Sequence, residues 1–216
     1  MILVPVKKLA NAKQRLASLL DQSTRTHLAQ AMLSDVLELL KAWAEHPEVT
    51  VVSSDRYATD LARKFGFQVM ADANKGETEA IATATQACIE QGIDDVLVLP
   101  ADIPLIQVWE LEKIFATAPN EGSVLVPSAD RRGTNAAWRK PAGLFPLRFG
   151  NDSFVPHLAS ARASRKPCVV LTLPGIALDI DNPADLRALV DAPGETRAQR
   201  LVRQFDLSDL PSAASQ

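Results

Sequence analysis

The sequence predicts an α/β protein built on a mostly parallel, doubly wound sheet. Two observations carry that prediction. Short apolar runs alternate with helical stretches through the first 126 of its 216 residues, a βαβ rhythm that calls for parallel strands. The runs, residues 95–99 above all, are nearly continuous in apolar side chains, as in strands buried on both faces.

Residues 2–6 form the first strand. Residues 24–45 follow as a helix, in which Leu28, Met32, Val36, Leu39 and Trp43 recur at spacings of three and four and make one buried stripe. A strand at 49–53, a helix at 57–65 ended by Gly66, and a strand at 68–71 come next. The Ala-rich stretch 79–91 is helical, 95–99 a strand, 108–118 a helix and 123–126 a strand. The alternation then breaks in a segment rich in Arg, Gly and Pro (129–149), with a short extended piece at 136–139. A helix at 154–163 and a strand at 168–173 follow. Asn182-Pro183 opens the last helix, to about 190, with Asn as N-cap and Asp185 near the third position. Residues 1–190 make one domain, and 191–216 read as a polar tail, poorly ordered or packed on a partner subunit.

A formal charge of −3 gives no broad reason to expect nucleic-acid binding, though a local basic cluster can still hold a triphosphate. The apolar N-terminus is short and followed, not preceded, by Lys7-Lys8, unlike a signal peptide. No run reaches the roughly 18 apolar residues of a membrane span. Cys88 and Cys168 lack metal-ligand spacing and read as isolated thiols. A cytoplasmic protein is expected, with no membrane and no nucleic-acid partner.

Three aspartates say most about chemistry. Asp102 follows the apolar run 95–99, at the strand end where open α/β sheets bind ligands. Asp179 and Asp181 lie two apart on an extended segment and so point to one face. Converging carboxylates suit Mg²⁺, which takes one or two carboxylates together with substrate phosphates and waters. The loop after the first strand carries Lys7, Lys8, Lys13 and Arg15, enough charge to neutralise a triphosphate. It contains no glycine, which excludes a P-loop or a dinucleotide fingerprint. The competing readings are a solvated basic loop, a turn role for Asp102 before Pro104 and a capping role for Asp181.

Five motifs in order (Pro-x-Lys…Ala-Lys-x-Arg-Leu near the N-terminus, residues 100–105, 133–135 and 149–154 with His157, and 179–183) resemble the 2-phospho-L-lactate guanylyltransferase family of coenzyme F420 biosynthesis. The resemblance covers about residues 1–190. It implies a nucleotidyltransferase fold related to glycosyltransferase A-type domains. It also implies transfer of GMP from GTP to 2-phospho-L-lactate, phosphoenolpyruvate or 3-phospho-D-glycerate, with release of diphosphate. On that reading Asp102, Asp179 and Asp181 hold Mg²⁺, Lys13 and Arg15 act with Asp102 in catalysis, and Lys7 joins them on the nucleotide. Thr134, Gly150 and Ser153 match the positions that bind the acceptor's phosphate and carboxylate, although Ser153 also suits an N-cap. Arg131 and Arg132 lie close enough in sequence to reach the acceptor or to form a solvated loop. His157 matches a family histidine, and its place after Pro156 on a short helix leaves mere support of the acceptor loop as the alternative. A homodimer is implied by the resemblance alone.

One segment departs from the family. Residues 76–80 read Gly-Glu-Thr-Glu-Ala, where Gly-Leu-Asn or a near equivalent is usual. Thr78 stands in for the Asn that faces the base, and Glu77 and Glu79 add two carboxylates, either able to accept from guanine's N1–H and amino group. Altered base preference, another nucleotide or acceptor on the same fold, and a binding module without catalysis are the alternatives.

Overall fold

The computed structural model describes residues 1–73, 76–150 and 152–205. The tail beyond 205 and Lys75 lie outside the described residues. Seven strands form one sheet: β1 (Ile2–Val6), β2 (Val49–Ser53), β3 (Gln68–Met70), β4 (Val96–Val98), β5 (Gly122–Pro127), β6 (Thr134–Lys140) and β7 (Cys168–Val170), in the order β3-β2-β1-β4-β6-β5-β7. Adjacent pairs are parallel except where β6 enters, antiparallel to both β4 and β5. The piece expected at 136–139 is thus the strand that turns the sheet around.

Eight α-helices and two short 3-10 turns (Leu9–Asn11 and Gln14–Leu16) complete the described chain; the α-helices are α1 (Gln22–Ala42), α2 (Arg56–Lys64), α3 (Glu77–Glu90), α4 (Val108–Thr117), α5 (Phe154–Ala163), α6 (Pro174–Ala177), α7 (Pro183–Asp191) and α8 (Arg197–Val202). Several starts have a local cause in a side-chain cap. The Asp21 side chain accepts from Thr24 N and caps α1, two residues before the expected start. Asn182 and Asp185 form the capping box that opens α7.

The apolar side chains sort onto two faces. On one, Ile2, Val4 and Val51 of the sheet meet Leu28, Met32, Val36 and Leu40 of α1, with α2, α4, α7 and α8 beside them. On the other, Leu3, Val96, Val98, Leu125 and Ala137 meet Ile81, Ala84 and Cys88 of α3 and Phe154 of α5. Strands buried on both sides read as unbroken apolar runs for this reason.

Two segments differ from expectation. The apolar run 168–173 divides at Val170, because Leu173 and Pro174 leave the sheet to begin α6. The described part of the tail folds onto its own chain. Thr196 caps α8, and Ala198 and Val202 are fully buried in the core that α1 lines.

Candidate active site

The sheet explains where the site lies. Parallel β1 and β4 end at one rim, which delivers the loop 7–13 and Asp102 there. An antiparallel neighbour begins where parallel strands end. With Val98 opposite Ala137, Thr134 and Asn135 open β6 at the same rim. The backbone N–H of Ile180 donates to the Asp102 carbonyl at 3.1 Å. Ile180 is fully buried, so Asp179 and Asp181 on either side of it face the opening.

Lys13 is the centre of the arrangement. Its Nζ lies 2.6 Å from Asp102 Oδ2 and 2.9 Å from Asp181 Oδ1, with its side chain only 7% exposed. Burial opposes its charge, but Asp102 and Asp181 outweigh it and hold the ammonium above the ordinary lysine range. Burial likewise pushes Asp181 up; Lys13 and Arg15, the latter at 3.5 Å, bring it below the usual carboxylate range. Asp179 lacks such a cation. Burial first and Asp102 second raise it to about 6, although the Asn135 amide donates to its Oδ1 at 2.9 Å. Asn135 also donates to the carbonyls of Ile176 and Ala177, which fixes the segment that carries Asp179. A nearly buried Asn must find partners of this kind. In the sequence it is only the last residue of the motif at 133–135, with no role of its own.

Two cavities meet over this floor. One, of about 450 Å³, lies between the loop 7–13 and α1, with Lys7, Lys8, Asn11, Met32 and Glu77 on its walls. The other, of about 380 Å³, is lined by Lys7, Lys13, Arg15, Thr134, Asn135, Gly150, Ser153 and all three aspartates. Lys13, Asp102, Asp181, Lys7 and Glu77 belong to both. The first is walled partly by Pro5, Val6, Leu9 and Ala29; the second is mostly polar on its far side, where Phe149 is the aromatic exception.

On that far side, Ser153 sits at the N-cap position of α5, yet its hydroxyl accepts from Thr134 N at 3.0 Å. Gly150 adopts φ 139°, and a Cβ there would meet nothing within 4 Å. Arg132 turns away to Asp152 at 2.6 Å, and the Arg131 guanidinium lies over the Phe154 ring.

Thr78 departs from its expected place. Its hydroxyl accepts from Phe149 N at 3.0 Å and ties the 149–150 loop to α3; it lines neither cavity. Glu77 is the residue of that segment that faces them, 3.0 Å from Lys7.

Among the described residues, no group of three acidic, histidine or cysteine side chains is placed to hold a metal unaided. The donors fit a hard cation nonetheless. Each is an oxygen, and Mg²⁺ takes one or two carboxylates and draws the rest of its shell from phosphates and water.

Taken together, an α/β sheet with a cationic cavity at its carboxyl rim, an acidic floor and a hydroxyl-lined far wall defines a nucleotidyltransferase. The solved structure of a nucleotide-diphospho-sugar transferase from Desulfovibrio desulfuricans shares this fold, with a TM-score of 0.77 at 19% identity over 94% of this chain and 93% of that one. The chain belongs to the family described as "Guanylyl transferase CofC like", which it matches over residues 1–216. It is 37% identical over 204 residues to the phosphoenolpyruvate guanylyltransferase of Roseiflexus castenholzii, covering 94% of this chain and 93% of the relative. It is 29% identical to the 3-phospho-D-glycerate guanylyltransferase of Colwellia psychrerythraea, over 94% and 97% respectively. The protein is an enzyme of the guanylyltransferase class. No helix among the described residues is long and apolar enough to cross a membrane.

Proposed function

We propose that the protein transfers GMP from GTP to phosphoenolpyruvate, releasing diphosphate, as a step of coenzyme F420 assembly. The observation that carries this reading is the paired cavity: a basic half and a hydroxyl-lined half share one floor of Lys13, Asp102 and Asp181. Family membership supports GTP as donor, and the name borne by the relative at 37% identity supports the acceptor.

The chemistry suits what the site offers. An acceptor phosphate monoester is largely a dianion at neutral pH, its second pKa being about 6. One of its oxygens attacks the α-phosphorus of GTP, a P–O bond forms, and the bond to diphosphate breaks. No protein base is required. Catalysis then rests on positioning and charge neutralisation. Lys7, Lys13 and Arg15 face the triphosphate side. Thr134, Gly150 and Ser153 receive the acceptor. Asp102, Asp179 and Asp181 would offer carboxylate oxygens to Mg²⁺, which would supply further charge neutralisation. Glu77 takes over guanine recognition from the segment in which Thr78 is committed to Phe149.

The test is diphosphate release with Mg²⁺, scanning four nucleoside triphosphates against phosphoenolpyruvate, 2-phospho-L-lactate and 3-phospho-D-glycerate. Release confined to GTP with phosphoenolpyruvate is expected. Release with another pair replaces the substrate named here. D102N is expected to keep the fold and lose at least about 10²-fold in turnover; wild-type turnover in D102N would remove Asp102 from the site.

A further inference from the structure

The hydroxyls of Thr134 and Ser153 are each both donor and acceptor, and a site for an anion needs donors only. The structure supplies a device that resolves this. His157 is 1% exposed, and its ring makes two hydrogen bonds. Nε2 accepts from Arg148 N at 2.7 Å, which leaves the ring proton of a neutral imidazole on Nδ1. Nδ1 lies 2.9 Å from Thr134 Oγ1 and must therefore donate to it. Thr134 Oγ1 thus accepts from the ring, its own proton is not spent on Nδ1, and that proton is available to the cavity. Ser153 Oγ likewise accepts on the protein side, from Thr134 N, which leaves its proton for the cavity.

We infer that His157 is a positioning residue for the acceptor: through Thr134 it sets a pair of outward-donating hydroxyls that selects an anionic group at this wall. The inference rests on the acceptor assignment proposed above.

The surroundings keep the ring in that state. Burial first and the Arg139 guanidinium second hold His157 at about 4, so it is neutral across the physiological range. Protonation would turn Nε2 into a donor facing the Arg148 N–H. The Phe149 ring stands edge-on to His157 at 5.5 Å, and its backbone is tied to Thr78, so the ring is braced from the α3 side as well.

The side chain that best copies each half of the ring gives the test. In H157N an amide nitrogen takes the place of Nδ1 and can still donate to Thr134. In H157Q an amide oxygen takes the place of Nε2, keeping the Arg148 bond and losing the donor. H157Q is expected to raise KM for the acceptor by about tenfold or more with KM for GTP changed less than about twofold, and H157N to restore most of the loss. T134V is expected to raise the acceptor KM as well, and H157Q added to T134V to cost nothing further. Equal changes in both KM values, or effects of H157Q and T134V that multiply, would overturn the inference. An acceptor KM unchanged in T134V would overturn the acceptor assignment itself. The wild-type enzyme gives a check that needs no variant. Its ¹⁵N spectrum at pH 7 should show His157 protonated at Nδ1 alone, and the opposite tautomer or an imidazolium would rule the mechanism out.

Discussion

His157 shows at the scale of one residue how a buried ring can serve a site and still load the fold. Its folded value of about 4 lies below the ordinary 6.5 of the unfolded chain. Between those values the unfolded state takes up a proton that the native state refuses. The contribution to stability is therefore whole above about pH 6.5 and is lost as pH falls toward 4. A depression of this size corresponds to about 3 kcal/mol. Urea denaturation across that window should show wild type losing stability on acidification faster than H157N. Other groups titrate in both proteins, so the difference between the two curves isolates the ring. Parallel curves would mean that His157 takes up its proton in the fold as readily as in the unfolded chain. The sequence made the aspartates legible, since carboxylates at a strand end and at alternate positions carry their geometry with them. It did not show that Lys13 bridges Asp102 and Asp181 from 89 and 168 positions away. Nor did it show that Thr78 faces Phe149 across 71 residues. Side-chain bonds of that span depend on the finished sheet.

Among the elements, α8 is the one whose hold on the molecule came from outside its own sequence. Its Thr196-x-x-Gln199 capping box is visible in the chain. The second cap is not: Asp35 of α1 accepts from the backbone N–H groups of Arg197 and Ala198, both at 2.8 Å. Burial raises the Asp35 carboxyl, and those two amides work against the rise. A six-residue helix has little stability of its own, so an apolar face and a donated cap must keep it in place. D35A removes an acceptor from two amide groups at a helix start and should cost about 1 to 2 kcal/mol. In a chain of this length that lowers the melting temperature by roughly 3 to 8 °C, with the KM for GTP unaltered because Asp35 lines neither half of the site. An unchanged melting temperature would mean that α8 is held by packing alone. The longer elements were legible for the opposite reason. The α1 stripe and the apolar β1, β2 and β4 runs repeat one environment over several residues, whereas α6 spans four residues whose partners lie elsewhere.

For the molecule as a whole, the question is what joins the two halves of the site. The basic half is built on β1 and β4; the hydroxyl-lined half comes from β6, the start of α5 and the segment before α7. Asp102 and Asp181 face each other across that divide, and the Lys13 ammonium is the charge between them. It is held there at some cost, because Lys13 adopts φ 55°, a conformation that a non-glycine residue rarely takes. K13M keeps the length and removes the charge, leaving two carboxylates with no ammonium between them. A fully buried pair broken in this way costs about 3 to 5 kcal/mol. With Asp181 41% exposed the loss should be smaller, about 2 to 4 kcal/mol, or roughly 5 to 15 °C in melting temperature. A divalent cation drawn to the same oxygens would replace the missing charge. The deficit of K13M, measured against wild type in chelator, should therefore shrink when millimolar Mg²⁺ is added, while turnover stays at least about 10²-fold down because the triphosphate has lost its lysine. A deficit indifferent to Mg²⁺ would show that these carboxylates do not form a cation site, and the assignment of Asp102 and Asp181 as metal ligands would fall with it.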